Sequence, residues 1–445
     1  MPSDDEIVGI ICKAFVNSRN FNGISASALT RAADLSWPQL RPRVEALVRA
    51  RKVDAAFASH CVNPHIKRLP DISVEGQVKG LELEEPTGIC LYPTAEVIAA
   101  SSDLRRYDGL PYTRRLAVAE AQLTPIFFEL NVLERYFRDP RYSCRFLDRA
   151  GSIAVHDQHY QSDQMAERDK VLLQSFGIGY DEKRNRVVVV YLRYLADLSS
   201  EHQQVWKAHE IAGRCTMNSD YERSSIHGMF PEHYSVYEAF IQEQREINKL
   251  SQTIGKPPLF RSTFEERKRP IEFSPMLRPT LRNFQEFALT LDKMLSDNLN
   301  RDFFRGDISL EDKVTAADGS VEVRQLGTIT LLERWLNAKY RDRDGGEVGN
   351  EVVEPLREVR KARQPTAHSL SQDAYDSSLP NAQDALLAAA LRSLQKLRAH
   401  FFVSRERARI CSAGLARRRQ DCFLLGRLIV GHASSLGIPA LRCRK

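Results

Sequence analysis

"EVVEPLREVRKARQPTAHSL", residues 351–370, decides how the second half of this chain is read. Val352, Leu356 and Val359 recur on one helical face, Arg357, Arg360, Lys361 and Arg363 crowd the last turns, and Pro365 cannot continue the helix. Arg363 therefore closes one helix while His368, with four residues between, opens the next stretch. Cationic side chains suit the carbonyl end of a helix, so the arginines alone require no function. The same kind of spacing recurs at Arg149 with His156 and at Arg427 with His432. Only Arg363 and His368 sit where an amphipathic helix breaks.

Outward from this stretch the pattern is helical. "TLRNFQEFALTLDKMLSDNLNRDFF" (280–304) places Leu281, Phe284, Ala288, Leu291, Leu295 and Leu299 on one stripe. "RQLGTITLLERWLNAKY" (324–340) and "NAQDALLAAALRSLQKLRAHFF" (381–402) are amphipathic as well, and the polar, glycine-containing 305–320 reads as a connection. Four such helices predict an all-α four-helix bundle over 279–403.

An imidazole and a guanidinium suit metal-free RNA cleavage. The first moves protons from the 2′-OH and to the leaving 5′-oxygen near neutral pH, and the second holds the charge that develops on the phosphorane. "LREVRKARQPTAHSL" with its flanking helices resembles the HEPN domain family, in the branch of abortive-infection-like prokaryotic defence proteins. The resemblance covers about residues 279–402, roughly a quarter of the chain. It implies a helical bundle that dimerises and cuts RNA without metal or cofactor, with Arg363 as the motif arginine, Gln364 as its polar neighbour and His368 as its histidine. An accessory acid is unassigned, with Asp297 and Glu333 as candidates. Arg360 and Lys361 are expected to contact nucleic acid beside the motif.

At the other end, residues 1–70 read as a winged helix-turn-helix: Ile7, Ile10, Ile11, Ala14 and Phe15 stripe one helix, "SASALTRAADL" (25–35) is a second, and "SWPQLRPRVEALVRARK" (36–52) a third. Ser36 is the expected N-cap of the third helix, Pro38 lies in its first turn, and Leu40, Val44, Leu47 and Val48 are its core stripe. "VDAAFAS" (53–59) and "CVNPHIKRL" (61–69) are the expected strands. Arg41 and Arg43 are the expected nucleic-acid contacts, as on a helix entering a major groove.

Residues 71–85 read as a connection with weak strand character, and 86–278 as a mixed α/β domain of unassigned role. Within it, "RVVVVYL" (186–192) is a buried strand, "FFELNVLERYFRD" (127–139) is helical, and Ser200 with Gln203 has capping-box spacing. A longer helix follows in 234–258, stopped by Gly255 and Pro257.

Composition bounds the rest. The 445 residues, 42% apolar and 27% charged, make a multidomain α+β chain, and no apolar run is long enough to span a membrane. The acidic start is unlike a signal peptide, and the eight cysteines lack zinc-ligand spacing, so a cytoplasmic protein with reduced thiols is expected. The net charge of +6 is concentrated in the tail 404–445, where nine Arg and one Lys face two acids, leaving about −2 for the remainder. The tail is atypical in composition, and no function is placed on it. No nucleotide-triphosphatase motif is present, so an energy-dependent step needs a partner defence protein. Two functional classes follow: an antiphage endoribonuclease acting as a homodimer, or a winged-helix DNA-binding regulator or adaptor that uses the bundle to dimerise.

Overall fold

The computed structural model describes residues 1–67, 72–101, 104–146, 149–163, 165–231, 234–265, 269–315, 321–342, 344–363 and 372–414, with side chains to Phe402. Among them the chain is a mixed α+β protein of two compact units, Met1–Phe230 and Pro231–Lys445.

The first unit opens with α1 (Asp4–Asn17), β1 (Ile24–Ser25), α2 (Ala26–Ala33), α3 (Trp37–Arg49) and β2 (Val53–Phe57). A reciprocal capping box between Ser3 and Glu6 starts α1, and Ile7, Val8, Ile11, Cys12 and Phe15 are buried. In α3 the expected stripe of Leu40, Val44, Leu47 and Val48 is the buried face. The expected second wing strand at 61–69 is replaced: the partner of β2 is β3 (Ile89–Pro93), in a sheet of order β1-β3-β2. Between them 74–83 forms a helix, α4 (Val74–Leu83), where strand character was expected. Ser73 accepts from the Gly76 N–H, and buried Gln77 takes the Ala55 N–H on its side-chain oxygen while donating to the Ile72 carbonyl. A helix start with a side-chain cap outweighs the weak strand pattern.

The following segment carries the short helices α5 (Ala95–Ser101) and α6 (Pro111–Ala117), then an antiparallel sheet with α7 (Glu134–Phe137), α8 (Asp157–Tyr160), α9 (Leu192–Ala196), α10 (Ser200–Ala208) and α11 (Ser219–His227) around its strands. Its strands are β4 (Pro125–Glu129), β5 (Tyr142–Phe146), β6 (Ala150–Val155), β7 (Leu172–Asp181), β8 (Arg186–Tyr191) and β9 (Cys215–Met217). The order is β4-β8-β7-β6-β5, with β9 also on β7. The expected buried strand is β8, flanked on both sides. The expected helix at 127–139 begins inside β4, turns helical at a 3-10 turn over Leu130–Leu133 and continues as α7 to Phe137. Gly177 in β7 admits the Tyr221 ring so closely that a Cβ there would lie 2.1 Å from a ring carbon. The segments 1–70 and 86–230 form one unit, joined in part by buried Gln122, which donates to the Phe21 carbonyl at 2.8 Å.

The second unit contains α12 (Val236–Thr253), α13 (Leu281–Met294), α14 (Arg301–Phe304), the hairpin β10 (Glu311–Thr315) and β11 (Val321–Gln325), α15 (Thr328–Lys339), α16 (Gly349–Ala362) and α17 (Leu379–Gly414). It begins well before the expected boundary at 279, because α12 packs along α17 and buries Phe240, Ile247 and Leu250. Gly255, at φ +76, ends the chain's turn out of α12. The unit is also not purely helical: β10 and β11 pair where a plain connection was expected, and the bidentate Arg334–Asp312 pair ties the hairpin to α15. Helices α13, α15, α16 and α17 pack against one another.

One break positions the candidate site. The stripe at 280–304 is not one helix: α13 stops at Met294, a single 3-10 turn covers Ser296–Asn298, and α14 follows. The Met294 carbonyl, orphaned at the helix end, accepts from Gln244 at 2.6 Å and Asn298 at 3.2 Å. Asn298 also exchanges hydrogen bonds with the backbone of Ser262. This turn carries Asp297 back toward α16.

Candidate active site

Arg357, Arg360 and Arg363 recur every three residues, so they form one row along α16, beside the buried face of Val352, Val353, Leu356 and Val359. Each meets a carboxylate from a neighbouring helix or turn. Arg357 Nη2 lies 2.6 Å from Glu333 Oε2 on α15. Arg360 Nη2 lies 3.1 Å from Asp297 Oδ1, and Arg363 Nη1 lies 3.3 Å from Asp297 Oδ2. Asp292, on α13, is 0% exposed; its Oδ2 is 2.6 Å from Arg363 Nη1 and 3.5 Å from Arg360 Nε.

The unusual member is Asp292. A carboxylate deprived of water is strongly unfavourable unless compensated, and here two guanidiniums face it. Neither contact is a directed hydrogen bond, and both Asp292 oxygens lack a donor in hydrogen-bonding geometry among the described residues. The attraction is therefore ionic, acting between a fixed buried anion and two side chains about 30% exposed, at 31% for Arg360 and 29% for Arg363. A guanidinium has five N–H donors in a rigid fork. The contacts of Arg363 with Asp292 and Asp297 run through Nη1, so Asp292 can anchor one edge of the fork while other donors serve a ligand.

Of the expected site residues, Arg360 and Arg363 are brought together, and Asp297 and Glu333 both become arginine partners. Lys361 lies off this row, 79% exposed, with Glu358 4.0 Å away. Gln364 and His368 lie outside the described residues. Sequence reasoning missed Asp292, although a signal was available: an acid four residues after Ala288 and next to Leu291 interrupts an otherwise apolar stripe. In the first unit, Arg41 Nε pairs with Glu45 on its own helix at 3.3 Å, and Arg43 Nη2 reaches Asp4 of α1 at 2.6 Å. Arg49 and Arg51 are exposed.

The first unit has its own buried polar network. Trp206 Nε1–H donates to the Tyr136 oxygen at 3.1 Å, so the Tyr136 hydroxyl proton is directed to His202 Nδ1 at 2.6 Å. That assignment leaves the His202 proton on Nε2, facing Asp169 Oδ1 at 3.6 Å. Burial pushes the His202 pKa down, aided by the Arg135 charge, and holds the imidazole neutral. Tyr136, His202 and Trp206 are all fully buried, which makes the relay a brace between α7 and α10. Gln203 completes that brace: its side-chain oxygen accepts from the Tyr112 N–H at 3.0 Å at the start of α6, which has no side-chain cap of its own. Ser199, not Ser200, is the N-cap of α10.

Among the described residues, no three His, Cys, Asp or Glu side chains are grouped to hold a metal ion. Cys90, Cys144 and Cys215 form no disulfide among the described residues, and burial pushes the Cys90 and Cys144 thiols up to about 12. No described helix is long and apolar enough to cross a membrane. No known protein family, curated protein or solved structure matches the chain.

Proposed function

We propose that the second unit is a HEPN-like, metal-independent endoribonuclease, acting as a homodimeric antiphage or abortive-infection type effector in the cytoplasm. The observation that carries this reading is the pair of guanidiniums, Arg360 and Arg363, held at the end of α16 by the buried Asp292 and by Asp297. A phosphate beside them meets cationic donors whose orientation is already set, which is the form of electrostatic stabilisation that needs no reorganisation during reaction.

In the proposed reaction the ribose 2′-oxygen attacks phosphorus and loses its proton, and the 5′-oxygen leaves and gains one. His368 serves as general acid or base, Arg363 stabilises the phosphorane, and Gln364 supplies a polar contact. The products are a 2′,3′-cyclic phosphate and a 5′-hydroxyl. A two-fold axis would place two copies of the motif in one cleft.

The test is incubation of the full chain with total RNA in EDTA, with mapping of the cut ends. Cleavage leaving cyclic phosphate ends, lost in His368→Ala and in Arg363→Lys, is the expected outcome. Arg363→Lys retains a cation for Asp292 but lacks the planar fork. Full activity in His368→Ala would overturn the assignment.

A second reading is favoured by one observation. The order α1, β1, α2, α3, β2, β3 with sheet order β1-β3-β2 supports a winged-helix reading, with α4 between the last two strands. Under this reading the first unit binds DNA through α3. Charge reversal at Arg41 and Arg43 should then weaken duplex binding and flatten its salt dependence. Unchanged binding would remove the reading. The ion pairs of Arg41 with Glu45 and Arg43 with Asp4 already weigh against it.

A further inference from the structure

The hairpin of β10 and β11 differs from the rest of the second unit in that every residue of β11 is exposed, Val321 at 59% and Val323 at 55%. Among the described residues β10 is its only ladder partner, so β11 has an open edge. An open edge that carries apolar side chains is a template for another strand. The ladder phase identifies the open groups. The Leu326 N–H donates to the Leu310 carbonyl at 3.0 Å, so by alternation Arg324 and Glu322 turn their backbone groups to β10, while Val321, Val323 and Gln325 turn theirs outward. The edge is also held in place from the helices: Arg301 donates to the Leu310 and Leu326 carbonyls and to Gln325 Oε1, and Arg334 binds Asp312 on β10.

The charges along this edge select its occupant. Antiparallel pairing of β11 with a second copy of itself, about a two-fold axis at Val323, sets Val323 opposite Val323 and Val321 opposite Gln325. The same register sets Glu322 of each copy opposite Arg324 of the other, at the closely spaced positions between hydrogen-bonded pairs, where cross-strand charges interact best. Moving the axis to Glu322 or to Arg324 sets like charges face to face, which is destabilising. Both side chains are exposed and enter no ion pair among the described residues, so neither has a contact to give up. A two-stranded hairpin is marginal in water, and two more strands strengthen it. We propose that β11 is a self-pairing edge, through which two copies of this chain join their hairpins into one four-stranded antiparallel sheet. The inference names the interface of the proposed homodimer and needs no RNA cleavage.

Sedimentation velocity of the full chain over a range of concentrations tests the pairing. Wild type should dimerise. Glu322→Arg sets arginine against arginine in both cross-strand pairs, and Arg324→Glu sets glutamate against glutamate, so each variant alone should associate about tenfold more weakly. An equimolar mixture of the two variants regains opposite charges at both pairs and should associate as wild type does, a recovery that misfolded chains cannot produce. Val323→Pro removes the outward N–H at the axis, leaves the bonds to β10 in place, and should abolish the dimer. Should Val323→Pro prove unfolded by circular dichroism, the mixture decides. A wild type that stays monomeric overturns the pairing and the homodimer together, and assigns the edge to a strand of another protein. A dimer that persists unweakened in all of the variants overturns the pairing alone, because the two copies then meet elsewhere. Weakened single variants whose mixture fails to recover overturn it as well, since the loss then does not come from the Glu322 and Arg324 register.

Discussion

Both units present an arginine-bearing helix that the sequence marks for nucleic acid, and the two helices treat their charges differently. On α3, Arg41 and Arg43 pair with Glu45 and Asp4, whose side chains are themselves partly exposed, at 20% and 53%. On α16, Arg360 and Arg363 point at Asp292, which has no exposure at all. A surface pair exchanges one set of solvated charges for another and contributes little. A buried anion holds its cations in place because releasing them would leave it uncompensated. Two similar basic helices thus differ in how firmly their side chains are oriented. The same contrast appears in the buried histidines. His202 of the first unit is hydrogen-bonded by Tyr136, whereas His400 of the second packs its ring 4.9 Å from Tyr340 and leaves Nδ1 without a hydrogen-bond partner among the described residues.

The largest expected effect is at Arg363. Arg363→Ala leaves Asp292 buried beside only the more distant Arg360, and breaking such a pair costs about 3–5 kcal/mol. Hydrogen exchange of the α13 and α16 amides should report that loss. Adding Asp292→Asn to the same chain should restore most of it, and additive losses would show that the two residues are not coupled.

Acid should sharpen the difference between the histidines. Burial lowers the His400 pKa to about 4 from 6.5, with Lys396 also lowering it and Glu351 opposing. The unfolded chain therefore takes up the proton first as pH falls. The stability is complete above about pH 6.5 and declines toward pH 4, by about 3 kcal/mol in total. His202 shifts in the same direction, so its contribution also begins to fall below the ordinary histidine range. His400→Leu should flatten the pH dependence of the second unit alone, as read by amide exchange between pH 7 and pH 4, where α17 is compared with α10. An unaltered profile would place the acid sensitivity elsewhere.

Smaller effects complete the contrast. Asp297→Asn removes a half-exposed partner of both arginines and should cost about 1 kcal/mol while leaving the Asp292 contacts in place. Arg43→Ala should cost less than about 1 kcal/mol, and Arg41→Ala about 0.3–0.5 kcal/mol, as exposed pairs do. A loss at Arg43 as large as that at Arg363 would erase the distinction between the two helices.

Local periodicity and capping were legible wherever a segment carried both. The stripe of α3, the buried strand β8 and the end of α12 at Gly255 could be read from residue types, because burial period and backbone geometry are set within a few residues. Reading failed where the deciding partner lies far along the chain. The strand that pairs with β2 is Ile89–Pro93 rather than 61–69, and the helix 74–83 is fastened partly through Gln77 to Ala55. The apolar stripe at 280–304 hid a helix end, because the carbonyl left free at Met294 is satisfied by Gln244, fifty residues away.

For the candidate site, the sequence by itself determined that a basic amphipathic helix ends near Arg363, since hydrophobic period and Pro365 are local facts. It could not determine that Arg360 and Arg363 share a buried anion. Asp292 and α16 meet only after α13 and α16 pack, and the strength of a charge pair depends on the water that packing removes. Tertiary structure therefore decided which of the chain's many arginines are held in a fixed orientation.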